Sequence, residues 1–170
     1  MGCITMHVYS KAMEMTIGVS IVVPTLSADE MNRGVTSAEY YKPGMKYQTL
    51  WLLHGGGGDY LDYMRYSSIE RYAEDNKVMV VMPSALNTNY ANTIYGQNYW
   101  TFLSEELLQI VACNFPYSDS REDNFVAGFS MGAFGTMKYI ANYPERFHAA
   151  LAMSGGPWSV EFMVDDHPII

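Results

Sequence analysis

The chain is poor in cysteine, in basic residues and in long apolar runs. Two cysteines, Cys3 and Cys113, stand far apart in 170 residues, which excludes a small disulfide scaffold and predicts two reduced thiols, Cys113 on the core face of a helix. A cytoplasmic location is the matching expectation. Ten Lys and Arg oppose eighteen Asp and Glu, a formal net charge of −8, and no cation cluster offsets that repulsion, so nucleic acid is not an expected partner. No stretch reaches the roughly 18 apolar residues of a membrane span. Met1 to Met15 is interrupted by His7, Lys11 and Glu14, which argues against a secretory signal. Gly2 does not start a myristoylation motif either, because Met6 stands where Ser or Thr is required. A hydrophobic content of 49% is enough for one domain with a real core, and a small neutral substrate suits the charge.

Apolar periodicity then gives the order of elements. Met6–Ser10 and Thr16–Val23, with Pro24 behind them, read as an antiparallel pair of strands. The polar stretch from Thr25 to Lys46 reads as a surface loop. Tyr47–Leu53 is a continuous apolar run, as expected of a strand covered on both faces, and it leads into His54-Gly55-Gly56-Gly57-Gly58. One helix is predicted from a cap at Asp59 to about Asn76, then a strand Val78–Met82 stopped by Pro83, then an Asn- and Tyr-rich loop from Ser84 to Asn98. A helix carrying Trp100, Leu103, Leu107, Ile110 and Val111 on one face follows. After it come a strand Asn124–Ala127, a helix Met131–Asn142 and a last strand Phe147–Met153. Strands alternating with helices imply an α/β fold with a mostly parallel sheet flanked by helices.

Within that order, Gly128-Phe129-Ser130-Met131-Gly132 is a G-x-S-x-G pattern between a buried strand and a helix. A serine on such a turn is held in strained geometry with its Oγ clear of the sheet, ready to attack a carbonyl. A Cβ on either glycine would collide with the neighbouring strand or the first helical turn. Because parallel strands finish at one edge of the sheet, His54-Gly55-Gly56, Ser130 and Ser154-Gly155-Gly156 are expected to converge there. Backbone amides of Gly56 and Met131 are the candidate donors to the oxyanion of an acyl-transfer intermediate. The glycine run lacks the Lys-Ser/Thr ending of a phosphate loop. His54, at the end of a buried strand, reads as a hydrogen-bonded structural histidine. No metal site and no cofactor are predicted.

The segments Leu52–Gly55, Ser68–Glu74, Val80–Pro83, Tyr99–Leu107 and Phe125–Gly132 closely resemble the tributyrin-esterase-like branch of the α/β-hydrolases. That branch is related to esterase D (S-formylglutathione hydrolase), feruloyl esterases and mycolyltransferases. The resemblance runs from Met6 to about Gly156 and implies a serine carboxylesterase acting on short acyl esters. It gives Ser130 the role of nucleophile and the amides of Gly56 and Met131 the role of oxyanion hole. Ala133 departs from the family, which usually has another glycine there.

In this fold the carboxylate and the histidine follow the nucleophile, and the resemblance implies a longer domain whose last strands carry them. The chain is therefore expected to be a single hydrolase domain incomplete at its C-terminus, with 157–170 a non-native tail. Downstream of Ser130, Asp165, Asp166 and His167 are the weak candidates for acid and base. Two alternatives stand beside the esterase: a catalytically inactive hydrolase-fold protein, and an acyltransferase, which needs a site that excludes water. Loss of the last strands would leave a sheet edge to pair with a second copy.

Overall fold

The computed structural model describes residues 1–155. Its centre is a six-stranded sheet in the order β1-β2-β4-β3-β5-β6. Strands β1 (Gly2–Ser10) and β2 (Met15–Val23) form the expected antiparallel hairpin. β2 runs antiparallel to β4 (Met79–Pro83), and β4 is parallel to β3 (Thr49–Leu53). β5 (Asn124–Phe129) lies parallel to β3 on its other side, and β6 (Ala149–Met153) extends the parallel run.

Helices cover both faces, unequally. Trp51, Leu53, Val81 and Val126 point to one face, where they pack with Leu103, with Leu107 and Val111 of helix α6 (Leu107–Asn114), and with Met131 and Tyr139 of helix α7 (Met131–Asn142). Leu52, Val80 and Ala127 point to the other, against Ile69 and Ala73 of helix α4 (Ile69–Asn76). At about 1.5–3 kcal/mol for each large side chain fully buried, the larger first layer holds most of the apolar stabilisation. On the outer strand β6, Ala149 to Ala152 are exposed, Leu151 by 59%. An open apolar groove of about 410 Å³ lies between α7 and β6, with Met137, Ile140 and Ala150 in its walls.

Four local expectations need correction. The Thr25–Lys46 stretch is not loop throughout: it holds two short helices, α1 (Ala28–Asn32) and α2 (Ser37–Tyr40). Each begins with a capping box, Ser27 with Glu30 and Thr36 with Glu39, in which serine or threonine and glutamate satisfy each other's backbone amides. The single helix predicted after Asp59 is two, α3 (Asp62–Tyr66) and α4, broken at Ser67 and Ser68. Asp59 accepts from the Leu61 amide at 2.7 Å, but the cap position of α3 is Leu61, two residues further on. Pro83 ends β4 from inside, paired with Val19, at a terminal position where a missing N–H costs little. Cys113 is exposed, as is Cys3, and both are free; burial and the Glu70 carboxylate push the Cys3 thiol up to about 11.

The helical run before β5 starts with α5 (Tyr99–Thr101) and passes through a π-type segment, Phe102–Glu106, into α6. The wider turn leaves carbonyls for side chains: Leu103 O accepts from the Tyr139 hydroxyl and Ser104 O from Arg146 Nη1, both at 2.6 Å. Glu106 reaches the β1–β2 hairpin, accepting from the Ala12 amide at 3.0 Å and from the Ser10 hydroxyl.

Candidate active site

Ser130 stands where β5 ends and α7 begins, with φ 55° and ψ −112°. This is a left-handed backbone for a residue with a Cβ, a conformation that persists only when its surroundings enforce it. They do so through main-chain contacts. The Ser130 amide donates to Met153 O at 2.9 Å, and Ser130 O accepts from the Ala133 amide at 3.0 Å. A Cβ at Gly128 would lie 2.2 Å from Gly132 O, in the first turn of α7, and one at Gly132 would lie 2.1 Å from Leu53 O, at the end of β3. The two glycines thus clear the helical turn and the neighbouring strand respectively, and Ser130 itself is exposed.

The register brings the glycine run to the same edge. Leu53 pairs with Gly128 and Gly128 with Ala152, so β3, β5 and β6 end level. A Cβ on Gly55 would touch the Phe129 ring at 3.2 Å, which fixes how close the glycine loop lies to the residue before Ser130. In that loop the Gly57 amide donates to Asn87 Oδ1 at 2.6 Å and the Gly58 amide to Gly55 O at 3.2 Å. Neither bond uses the Gly56 amide. The Met131 amide is the first of α7, where an N–H has no acceptor within its own helix.

His54 is buried and both ring nitrogens are engaged. Nδ1 lies 2.7 Å from Gly55 O, and Nε2 accepts from the Ala85 amide at 2.9 Å. A carbonyl only accepts and an amide N–H only donates, so the ring is neutral with its proton on Nδ1. Burial holds its pKa below the ordinary 6.5. The folded state then binds no proton here while the unfolded state takes one up below 6.5. Stability from this group is fully present above that pH and falls as the pH drops below it, with a limiting slope of about 1.4 kcal/mol per pH unit. Denaturation midpoints measured from pH 7.5 to 5 are expected to show that decline, and His54→Asn to remove its share of it.

Two other described histidines are remote from Ser130. His148 begins the approach to β6, its amide bonded to Asn124 O and its ring to Glu122; Asn124 opens β5, about 20 Å of strand from Ser130. His7 lies on β1 beside Tyr60, four strand spacings from β5, about 19 Å. Asp165, Asp166 and His167 lie outside the described residues. Among the described residues, no group of three or more His, Cys, Asp or Glu is placed to hold a metal ion, and no helix is long and apolar enough to cross a membrane.

Two polar contacts, both from tyrosine hydroxyls, carry no sequence signature. Tyr90, fully buried, donates from its hydroxyl to His54 O at 2.8 Å. Tyr63 donates to Leu53 O at 3.0 Å. An apolar slot of about 290 Å³ between Tyr63, Tyr66, Gly55 and Phe129 adjoins the elbow.

A strained serine between a parallel strand and a helix, facing a glycine loop on the next strand, has the geometry that α/β-hydrolase folds give to a nucleophile elbow. A family model described as "Putative esterase" matches residues 28–167, and the chain belongs to that esterase family. It is 26% identical to an acetyl esterase of Caldicellulosiruptor saccharolyticus over 91% of this chain and 56% of that protein. Among solved structures it resembles the fluorophosphonate-binding serine hydrolase F of Staphylococcus aureus, with a TM-score of 0.77 and 34% identity over 91% of this chain and 57% of that one. The S-formylglutathione hydrolase of Staphylococcus aureus superposes with a TM-score of 0.75 and 32% identity, over 97% of this chain and 65% of that one. The chain spans a little over half the length of the acetyl esterase and under two thirds of either solved structure.

Proposed function

We propose that Ser130 is the nucleophile of a serine carboxylesterase for short acyl esters, working through an acyl-enzyme that water resolves. The observation that carries this reading is the backbone of Ser130, φ 55° and ψ −112°, held at the sheet edge where the glycine loop also ends. In the first step Oγ adds to the ester carbonyl while its proton passes to a base. The carbonyl oxygen, now negative, meets the amides of Gly56 and Met131, each worth on the order of 3 kcal/mol in such a site. Collapse expels the alcohol, which takes the proton back from the base, and water repeats the sequence on the acyl-enzyme to release the acid and restore the serine. An acetyl or similarly short acyl group suits the apolar slot beside Phe129. An acyltransferase would run the same first step and differ only in admitting an alcohol in place of water.

The base must be an imidazole with a free nitrogen. His54 has none, and His7 and His148 are too far away. Within the sequence given, His167, with Asp165 or Asp166 to orient it, is a candidate; the family resemblance places the acid and the base on later strands. A second reading, a hydrolase fold without turnover, is favoured by the fact that the described residues bring no imidazole with a free nitrogen to Ser130. A fluorophosphonate probe with mass spectrometry of the tryptic peptides separates the two. Labelling at Ser130 is the expected result, and slowing by at least about 100-fold in His167→Ala, as for loss of a general base, would identify that histidine as the base. Absence of labelling in the wild type would establish the inactive reading; equal labelling in His167→Ala would remove His167 from the mechanism.

A further inference from the structure

We infer that the loop following β4 is the frame that aims the oxyanion donor, with His54, Asn87 and Tyr90 as positioning residues; this rests on the esterase reading of Ser130. The argument begins with the peptide that joins Gly55 to Gly56. Its carbonyl and its N–H lie in one plane and point in opposite directions. Whatever holds Gly55 O therefore also aims the Gly56 N–H. Two donors hold it: His54 Nδ1 at 2.7 Å and the Gly58 amide at 3.2 Å. The next peptide is held as well, because the Gly57 amide donates to Asn87 Oδ1 at 2.6 Å. Both peptide planes flanking Gly56 are thus fixed, the second from the loop itself and the first through a histidine that the loop controls.

That control acts on His54 at two points. The Ala85 amide donates to Nε2 at 2.9 Å, which keeps the proton on Nδ1, where it is needed. The Tyr90 hydroxyl donates to the His54 carbonyl at 2.8 Å. Burial holds the Tyr90 pKa well above its ordinary value, so the hydroxyl remains a donor. The loop is itself stiff: Leu86, Asn89 and Tyr90 all have positive φ without being glycine, and the Thr88 hydroxyl closes back on Ala85 O at 2.7 Å. The Tyr90 ring rests on Gly135, where a Cβ would come within 2.8 Å of it. Gly135 belongs to α7, the helix that starts at the nucleophile. Donor and nucleophile are therefore positioned from one helix, and donors that need no reorganisation are the effective ones in acyl transfer.

Asn87 gives a clean test because it is exposed and its bond is to the loop rather than the core. For Asn87→Ala, the limiting rate of fluorophosphonate labelling at Ser130 is expected to fall about tenfold, the scale of one lost orienting contact. The half-saturating probe concentration should stay within twofold and the melting temperature should not change. Tyr90→Phe keeps the ring and loses the hydroxyl, and should slow labelling by a similar or larger factor. Amide exchange at Gly56 and Gly57, read by NMR without any probe, should accelerate in both variants. Wild-type labelling with unchanged rates in both variants would overturn the inference and leave the esterase reading intact. A loss confined to probe affinity would also overturn it, since an aimed donor acts on the reacting state. A wild type that takes no label would overturn the esterase reading and, with it, the oxyanion role.

Discussion

Ser130→Ala should leave a folded protein with no measurable fluorophosphonate labelling and no hydrolysis of a short p-nitrophenyl ester above the uncatalysed rate. The expected loss is on the order of 10⁴-fold or more, because the nucleophile and its base act as a unit and removing either removes the covalent route. Alanine keeps the Cβ, so the backbone at φ 55° is as strained as before and the elbow is retained. The Oγ is the only atom removed, and it lies on an exposed residue. Thermal stability should therefore match the wild type within about 0.5 kcal/mol. Turnover at the wild-type rate would sink the assignment of the nucleophile, and unfolding of the variant would show that the serine hydroxyl has a structural role that the contacts around it do not indicate.

Gly132→Ala should destabilise the fold by about 3 kcal/mol or more, at the upper end of what overpacking costs. The three nearest atoms to the added Cβ are Leu53 O at 2.1 Å, Leu53 C at 2.7 Å and His54 O at 2.9 Å, all of them backbone. A side chain could turn aside, but a strand in the middle of a sheet cannot. Either α7 or the end of β3 must shift by more than 1 Å, and both carry the site, so labelling at Ser130 should vanish together with the stability. Gly56→Ala is the control: its Cβ would meet only Asn87 Oδ1 at 3.7 Å, an ordinary contact. Urea midpoints of the two variants compared with the wild type give the result, and a Gly132→Ala midpoint equal to that of Gly56→Ala would refute the steric argument.

Elements with strong apolar patterning were legible from the sequence. The buried strands β3, β4 and β5 and the helix Met131–Asn142 are continuous or helically spaced apolar runs, and their burial is what makes the pattern. The two halves of the site followed from them, since parallel strands must end together. The short helices α1 and α2 were hidden because they bury nothing; polar capping forms them, and Ser27-x-x-Glu30 and Thr36-x-x-Glu39 were the available signals. The break at Ser67 and Ser68 interrupts a stretch whose apolar spacing continues across it, so periodicity ran straight through. Cys113 was misplaced because a cysteine on an amphipathic helix has no polarity to reveal its side. Asn87 and Tyr90 bond to main chain, the Gly57 amide and the His54 carbonyl, and a bond of that kind leaves no spacing to read.

The bond from the Ser130 amide to Met153 O joins residues 23 positions apart and has a consequence for synthesis. Translation adds about 5–20 residues per second, so the elbow has been made for roughly 1–5 s before the strand that holds it exists. The hairpin β1–β2 can pair early, and β3 can accept β5 as soon as Gly128 emerges. The strained turn at Ser130 is closed only when β6 arrives. A nascent chain therefore carries Ser130 without the main-chain bond to Met153, and the geometry of that turn is completed late, after most of the sheet that surrounds it has formed.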